Sequence, residues 1–207
     1  MPVDGVPIIR RIYDKYVSMT PNIIICINSN HRNFFEHEFA LELSQGLLKL
    51  SESKKPLGTA GEVWNAKRHI KEDFVVYYGD MLTNIDYLEL LSVHEKHKSL
   101  KRYMGTLVGV KGISTEKGII EVDNNDCVLR FEEKPPLDNL TWAAIAVFKN
   151  DIIQYCLKGR DFATHIFPAL LDNGYMLKVY KSDAVWRDIG NLKEYELANQ
   201  MVAEGEL

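Results

Sequence analysis

The sequence predicts an α/β fold in which a mostly parallel mixed sheet lies between two layers of helices. Apolar runs alternate with helical patterns along the first half of the chain, which is typical of parallel β-α units. The runs at 23–27 and 74–78 are apolar without alternation, as expected for strands that are buried on both faces. With 207 residues the chain is long enough for one sizeable domain, and we expect a single domain over residues 1–207.

The helices and strands of the first half follow from apolar spacing and from proline. Pro7 can open a helix at its first turn, and the Pro-Asn pair at 21–22 ends that helix. Apolar spacing places Phe34 on the inward face of the second helix, and Leu88 and His94 on the inward face of the fourth. The predicted elements are a helix at 7–20, a strand at 23–27, a helix at 31–43, a strand at 47–50, a helix at 60–70, a strand at 74–78, a helix at 85–98 and a strand at 103–110.

The second half combines a hairpin with further strands and helices, which we expect to extend the sheet. Two strands flank the turn-rich tetrapeptide at 123–126, and this pattern predicts a hairpin. The predicted elements are strands at 117–122, 127–132, 141–148 and 175–180, and helices at 151–157, from 161 onward and at about 192–203.

The composition argues against several classes of protein. A net charge of −4 and a pI near 5.9 argue against broad nucleic-acid binding, which needs a positive field. Cys26, Cys127 and Cys156 are widely spaced, so a zinc site or a disulfide framework is not predicted, and a reducing compartment fits. No apolar run approaches the roughly 18 residues of a membrane span, and the N-terminus lacks a signal-peptide core. We therefore expect a cytoplasmic protein with no nucleic-acid or membrane partner.

The most informative stretch is residues 55–80. A glycine loop at 56–61 precedes a helical pattern, and an apolar strand then ends at Gly79 and Asp80. A carboxylate just past a parallel strand lies at the sheet edge where ligands of α/β proteins bind. The stretch predicts one half of a nucleotide site. On its own it is equally compatible with an ordinary loop-helix-strand unit that carries a solvated aspartate.

Two histidines on the fourth predicted helix could form a metal site. His94 and His97 lie three residues apart, a spacing that could hold a metal. Charged residues surround them at positions 95, 96 and 98. We therefore interpret the pair as part of a solvated helix face.

Several motifs, in this order, resemble one enzyme family. PLGTAG stands before a helix, GD ends the next strand, GIIEVDNNDCVLRFEEKP spans the hairpin, DFATHIFPALL follows, and WRDIG comes last. This pattern is similar to the sugar-1-phosphate nucleotidyltransferases, also called nucleotide-sugar pyrophosphorylases, and within them to mannose-1-phosphate guanylyltransferases. The resemblance covers almost the whole chain. It implies a three-layer Rossmann-like fold with a nucleotide half at about 1–110 and a sugar half at about 111–207.

The resemblance also implies roles for individual residues. The nucleotide would be held by Pro56, Leu57, Gly58, Thr59, Gly61 and Gly79. Asp80 and Asp188 would bind one Mg²⁺, a hard cation that is usually held by one or two carboxylates together with phosphate oxygens and waters. Gly118 would let the backbone approach the sugar, Glu133 would accept hydrogen bonds from its hydroxyls, and Lys134 would contact its phosphate. Asp80, Asp188 and Lys134 would thus be the catalytic residues. Taken singly, Glu133 and Lys134 could be a surface pair, and Asp188 could be a helix cap, although it stands several residues too early for that role.

The implied reaction joins an NTP and a sugar 1-phosphate, of the mannose or glucose type, to give an NDP-sugar and pyrophosphate. Two departures from the family are visible. The family begins with a strand and a loop of the pattern GGxGTRLxPxT, and this sequence contains no such loop; residues 1–7 align with the LPVxGKP that follows it. We therefore expect a fold that lacks the N-terminal strand and a truncated polypeptide that is weak or inactive alone. Residues 142–144 read Trp-Ala-Ala where the family has Asn-Ala-Gly, which affects the expected sugar fit.

Two other functions remain open at this point. One is a non-catalytic regulatory subunit that keeps an NDP-sugar pocket, and the presence or absence of the missing loop upstream would discriminate it. The other is a glycosyltransferase of similar shape, but the residues after Gly79 contain no DxD motif. The sequence does not identify the base or the sugar, and a homo-oligomer is compatible with it.

Overall fold

The computed structural model describes residues 1–20, 22–111, 119–133 and 139–207. The α-helices are α1 (Ile8–Tyr16), α2 (Arg32–Glu38), α3 (Ala40–Ser44), α4 (Thr59–Ala66), α5 (Tyr87–His97), α6 (Phe167–Asp172) and α7 (Leu192–Ala203). The strands are β1 (Pro2–Val3), β2 (Val6–Pro7), β3 (Ile23–Asn28), β4 (Leu48–Ser53), β5 (Phe74–Tyr77), β6 (Met81–Thr83), β7 (Tyr103–Val110), β8 (Ile119–Val122), β9 (Val128–Glu132), β10 (Thr141–Phe148), β11 (Met176–Ser182) and β12 (Trp186–Asp188). Short 3₁₀ turns lie at Ser29–His31, Lys67–His69 and Asn150–Tyr155, and a π-helical turn lies at Phe162–Ile166.

A mixed four-stranded sheet forms the centre of the fold, with the strand order β11-β7-β10-β5. Strands β11 and β7 are parallel, whereas β10 is antiparallel to both of its neighbours. Strands β3 and β4 form a separate parallel pair. The mixed α/β architecture is as predicted. Strand β5 was expected to be a buried parallel strand, but its partner β10 is antiparallel and its side chains are only partly buried.

The alternation of side chains along β10 explains the layers of the fold. Ala146 and Phe148 point into one apolar cluster, which is covered by α4 and α6. Ile145 and Val147 point into a second cluster, which is covered by α5. Since successive side chains of a strand point to opposite faces, the two clusters lie on opposite faces of the sheet. Helices therefore cover both faces, which gives the predicted three layers.

The sheet is interrupted between β3 and β5, whose outer edges pair with no other strand among the described residues. Helix α1 reaches both sides of this break: Tyr13 packs in a cluster with Ile25 of β3, and the ring of Tyr16 lies 5.5 Å from that of Tyr77 in β5. Helix α4 does the same through its contacts with β4 and with the core of β10. Two helices thus span the break between these strands.

Several predicted elements differ in detail. The helix predicted at 31–43 is two helices, because the backbone at Phe39 departs from helical angles. Phe34 and Leu88, both expected inward, are 45% and 64% exposed. The helix predicted at 151–157 is a 3₁₀ turn at Asn150–Tyr155, and the helix predicted from 161 starts with a π-helical turn that leads into α6. Within the described ranges, no helix is long and apolar enough to cross a membrane.

The predicted hairpin is confirmed as β8 and β9, and its turn is held by one aspartate. The Asp123 carboxylate accepts hydrogen bonds from the backbone N–H groups of Asn125 and Cys127, at 2.8 and 2.9 Å. Two short antiparallel pairs were not predicted, β1 with β2 and β6 with β12. The second of these pairs is the element that assembles the site described next.

Candidate functional site

Asp80 and Asp188 are brought together by the short pairing of β6 with β12. In this antiparallel register Asp188 lies opposite Met81, the residue that follows Asp80. The backbone N–H of Ile189 donates to the carbonyl oxygen of Asp80 at 2.9 Å. Both aspartates are exposed at the end of the sheet where β5 finishes. Helix α7 is capped by Asn191, whose side chain accepts from the N–H of Glu194, so Asp188 is not the cap of that helix.

The two carboxylates interact electrostatically. Desolvation raises the pKa of Asp188 above its usual range, and the negative charges of Asp80 and Glu194 raise this pKa further. Like charges held side by side disfavour ionisation, and a divalent cation between them would remove that cost. Oxygen donors are the ligands that Mg²⁺ prefers, so this pair fits Mg²⁺. In the part of the chain that the structure describes, no cluster of three or more acidic, His or Cys side chains could hold a metal.

The glycine loop at 56–61 is held in place by a segment from far along the chain. The backbone N–H of Thr59 donates to the Asp161 carboxylate at 2.8 Å. The next two N–H groups, of Ala60 and Gly61, donate to the carbonyl oxygen of Arg160 at 3.0 and 3.1 Å. The first N–H groups of α4 therefore already have protein acceptors. They are not free to bind a phosphate, as helix N-termini often do.

The two glycines of this loop are required by that contact. Gly58 has φ +76°, and a β-carbon there would lie 2.4 Å from the carbonyl oxygen of Arg160. A β-carbon at Gly61 would lie 3.0 Å from Cβ of Leu57 and 3.2 Å from the carbonyl oxygen of Leu157. Glycine thus serves close packing of one loop against another here. Pro56 is exposed, Leu57 and Thr59 are partly buried, and Gly79 is exposed.

Tyr78 connects the glycine loop with the acidic pair. Its phenol interacts with the side chain of Thr59, and desolvation raises its pKa, with further increases from Asp161 and Asp80. Because Tyr78 precedes Gly79 directly, the loop and the carboxylate edge share one neighbourhood. The prediction that the loop, the strand end and Asp80 lie together is consistent with this geometry.

A bulge at the start of β10 is hydrogen-bonded to the segments that lead to Asp80 and Asp188. The pairing of β10 with β7 is irregular between Trp142 and Ala146, and Ala144 has φ +57°. The N–H of Tyr78 donates to the carbonyl oxygen of Ala144 at 3.2 Å. The indole N–H of Trp186, two residues before Asp188, donates to the carbonyl oxygen of Ala143 at 2.9 Å. The strand ends that carry Asp80 and Asp188 are thus both hydrogen-bonded to this bulge.

Trp142 belongs to an aromatic row at the same end of the sheet. Its ring is edge-on to Tyr78, with centroids 5.5 Å apart, and edge-on to Phe167, at 4.9 Å. Its indole N–H donates to the carbonyl oxygen of Ile145 at 3.0 Å. The partly exposed ring of Trp142, packed between partly exposed Tyr78 and buried Phe167, therefore lies where the resemblance led us to expect an asparagine beside the sugar.

Of the three residues predicted to contact the sugar 1-phosphate, the described ranges include Glu133. Glu133 is exposed and follows the last residue of β9. Gly118 and Lys134 lie outside the described residues. Their predicted roles therefore remain predictions.

Apolar spacing placed His94 correctly on the inward face of its helix, whereas the interpretation of His94 and His97 as one solvated pair is wrong for His94. It is 1% exposed, and its ring nitrogens contact the Tyr103 hydroxyl at 2.8 Å and the Asp73 carboxylate at 3.2 Å. His97 contacts the carbonyl oxygen of Val93 at 2.7 Å. His94 is a hydrogen-bonded core residue at the opposite end of β5 from Asp80.

Comparisons with known proteins agree on one family. The sequence profile described as nucleotidyl transferase matches residues 1–205. The chain is 28% identical over 203 residues to mannose-1-phosphate guanylyltransferase of Mycobacterium tuberculosis, a match that covers 94% of this chain and 55% of that protein. It is 29% identical over 163 residues to glucose-1-phosphate adenylyltransferase of Desulfitobacterium hafniense, with 72% and 41% covered. The chain thus spans about half the length of such relatives.

A solved structure shares the fold. HddC from Yersinia pseudotuberculosis, complexed with GMP-PN, superposes with a TM-score of 0.71 at 19% sequence identity. The superposition covers 98% of this chain and 88% of that one.

Proposed function

The chain belongs to the nucleotidyl transferase family, and on this premise we propose that it transfers a nucleotidyl group from an NTP to a sugar 1-phosphate, releasing pyrophosphate. The observation that carries the proposal is the meeting of Asp80 and Asp188 beside the glycine loop at one end of the sheet. The names of the relatives support substrates of this kind, since they specify mannose 1-phosphate or glucose 1-phosphate as acceptor.

In this reaction the phosphate of the sugar 1-phosphate attacks the α-phosphorus of the NTP in line, and pyrophosphate leaves. Such a transfer needs positioning and charge neutralisation rather than a covalent enzyme intermediate. Asp80 and Asp188 would hold one Mg²⁺, which supplies positive charge to the reacting phosphates. Their own contribution is to keep two carboxylates at a fixed separation, through the β6-β12 pairing and the β10 bulge.

In this proposal the first half of the chain binds the nucleotide and the second half binds the sugar 1-phosphate. Residues 56–61 and Gly79 would meet the nucleotide. Glu133 would accept hydrogen bonds from sugar hydroxyls, Lys134 would pair with the sugar phosphate, and Gly118 would allow close approach of the backbone. The aromatic row at Trp142 adds apolar surface at this end, which supports a hexose with one apolar face.

We also propose that the 207-residue polypeptide on its own turns over slowly. The break between β3 and β5 leaves two strand edges without partners among the described residues, and the sequence contains no phosphate-binding glycine loop of the GGxGTRL type. The triphosphate would then lack preorganised donors, each of which typically contributes about 10²–10³-fold in kcat.

A coupled pyrophosphate assay tests the proposal. It would use ATP, GTP, UTP and dTTP with mannose or glucose 1-phosphate, on the 207-residue polypeptide and on a version preceded by a family strand and loop. We expect weak release from the first and clear Mg²⁺-dependent release from the second, lowered by at least about 10²-fold in Asp188→Asn. A folded, extended protein that neither releases pyrophosphate nor binds any of these substrates would refute the transferase proposal.

A further inference from the structure

The contact between Thr59 and residues 161–162 is reciprocal. The Thr59 N–H donates to the Asp161 carboxylate at 2.8 Å, and the Phe162 N–H donates to the Thr59 hydroxyl at 3.0 Å. The first N–H groups of a helix have no acceptor within the helix, and here the Asp161 carboxylate and the Thr59 hydroxyl supply acceptors for two of them. The geometry is that of a helix cap, except that the capping carboxylate comes from a distant part of the chain.

A second set of bonds extends this contact along the whole loop. The carbonyl oxygen of Arg160 accepts from Ala60 and Gly61, and the N–H of Gly159 donates to the carbonyl oxygen of Leu57 at 2.6 Å. On the other side, the Glu62 carboxylate accepts from the Ser53 hydroxyl at 2.8 Å and from the Leu57 N–H at 3.3 Å. The shape of the loop is therefore set by partners outside it.

The same segment reaches the acidic edge and the aromatic row. Thr59 also contacts the phenol of Tyr78, which lies beside Gly79. Phe167, six residues beyond Asp161, packs against Trp142. The Asp161 carboxylate itself bonds directly to the loop, at the Thr59 N–H. We therefore expect a change at Asp161 to affect the loop before it affects Tyr78 or Trp142.

We propose that Asp161 is a positioning residue for the nucleotide: it holds residues 57–59 in the conformation in which they meet the base, without touching the nucleotide itself. This inference rests on the proposed function, because only that function assigns the glycine loop to a nucleotide. A loop ordered before binding loses less conformational entropy when the ligand arrives, so release of the loop weakens binding.

The test compares Asp161→Ala with Asp161→Asn in the 207-residue polypeptide. Asparagine keeps an oxygen that can accept from Thr59, whereas alanine removes it. By isothermal titration with GTP, ATP, UTP and dTTP, the Kd of the best nucleotide should rise at least about tenfold in Asp161→Ala and less than about threefold in Asp161→Asn. The Kd for mannose or glucose 1-phosphate should stay within about twofold in both variants. Asp172→Ala removes an exposed carboxylate at the end of α6 and is the matched control.

Amide hydrogen exchange gives a readout that does not depend on any ligand. Exchange at Thr59, Ala60 and Gly61 should be faster in Asp161→Ala than in wild type and close to wild type in Asp161→Asn. If Asp161→Ala does not fold, Asp161→Ser takes its place, because the acceptor oxygen of serine is one bond nearer the backbone than a carboxylate oxygen and should hold the Thr59 N–H less well. It should then show the faster exchange and the weaker nucleotide binding expected of Asp161→Ala.

The outcomes separate the two proposals. If wild type binds a nucleotide and Asp161→Ala binds it equally well, the positioning role is wrong and the proposed function stands. Equal losses of nucleotide and sugar 1-phosphate binding would show a general structural role and would also overturn the inference. If neither the 207-residue polypeptide nor the version preceded by a family strand and loop binds any nucleotide, both the inference and the proposed function are overturned.

Discussion

At the scale of single residues, the backbone of Ala144 is the clearest sign of local strain. Its φ of +57° lies in the left-handed region, while its neighbour Ala143 does not have a positive φ, and both side chains are buried. Left-handed angles cost an L-residue with a β-carbon about 1–2 kcal/mol. The strain falls in the bulge that holds the strand ends of Asp80 and Asp188.

A pair of glycine substitutions measures this strain. Ala144→Gly and Ala143→Gly remove the same methyl group and add the same freedom to the unfolded chain. The difference between their free energies of unfolding should therefore report the strain, with Ala144→Gly more stable by about 1–2 kcal/mol. Urea denaturation gives both values. Equal effects would show that Ala144 is not strained.

Asp188 should also give a pH-dependent effect on stability. Its pKa in the folded chain is raised by desolvation and by Asp80, so the contribution of this group is largest below the pKa of an unfolded aspartate. That contribution is lost as the pH rises through the raised pKa. Asp188→Asn, which stays neutral, should therefore melt above wild type at pH 7 without Mg²⁺, and the difference should shrink toward pH 4.

Added Mg²⁺ should reverse that order, because only wild type keeps both carboxylates. Thermal melts at pH 4 and pH 7, with and without Mg²⁺, test both statements. A lower melting temperature of Asp188→Asn at pH 7 without Mg²⁺ would contradict the repulsion between Asp80 and Asp188.

At the scale of elements, helix α5 is attached to the sheet by a buried hydrogen-bonded chain. The Tyr103 hydroxyl contacts His94 at 2.8 Å and the Thr106 hydroxyl at 2.6 Å, and His94 reaches Asp73 at 3.2 Å. Tyr103, His94 and Thr106 are each at most 1% exposed. Burial raises the pKa of Tyr103 to about 12, so the phenol stays neutral at ordinary pH.

Tyr103→Phe should be destabilising out of proportion to the single atom removed. It leaves buried polar atoms of His94 and Thr106 without their partner, which costs about 1–3 kcal/mol. Tyr155→Phe is the control, because the Tyr155 hydroxyl bonds to that of Tyr175 at 2.6 Å and both residues are partly exposed. We expect this change to lower the free energy of unfolding by less than about 1 kcal/mol. Urea denaturation measures both. Similar effects of the two changes would mean that the buried chain contributes little.

The elements also show what sequence patterns can and cannot predict. Apolar runs located β3, β7 and β10, because these strands have 6, 8 and 8 residues and include buried apolar side chains. The three-residue strands β6 and β12 carry too few residues for a periodic signal, yet their pairing joins Asp80 to Asp188. Apolar spacing indicated that His94 faces inward, but its charged neighbours suggested an exposed pair with His97, because the partners of His94 come from distant residues.

The candidate site was likewise predicted only in part from sequence patterns. The motifs named Asp80, Asp188 and the glycine loop, since the resemblance extends to these positions. Asp161 and Tyr78 were not assigned to the site, and residues 142–144 were placed beside the sugar by the resemblance but were not expected to form a bulge. Their roles depend on hydrogen bonds and contacts between separate parts of the chain, which local patterns do not contain.

At the scale of the whole molecule, the sheet is interrupted between β3 and β5. Helices α1 and α4 hold the two sheet fragments together, but the strand edges at the break have no sheet partners among the described residues. Unpaired strand edges tend to bind other strands and to promote aggregation.

An added strand should therefore raise stability as well as activity. A version of the chain preceded by a family strand and loop should have a higher urea midpoint and a larger m-value than the 207-residue polypeptide, because more surface is buried on folding. The control carries the same extension with proline at two strand positions, which prevents pairing. No change in the midpoint would show that the extension does not enter the sheet.

The central claim is that Asp80 and Asp188 together hold the ion on which nucleotide binding depends. The most direct test is the Kd of the preferred NTP for the 207-residue polypeptide, measured with Mg²⁺ and with EDTA, in wild type, Asp80→Asn, Asp188→Asn and the control Asp172→Asn. We predict that Mg²⁺ tightens binding at least about tenfold in wild type and in the control, and less than about twofold in either site variant. The same tightening by Mg²⁺ in Asp80→Asn or Asp188→Asn as in wild type would contradict the account.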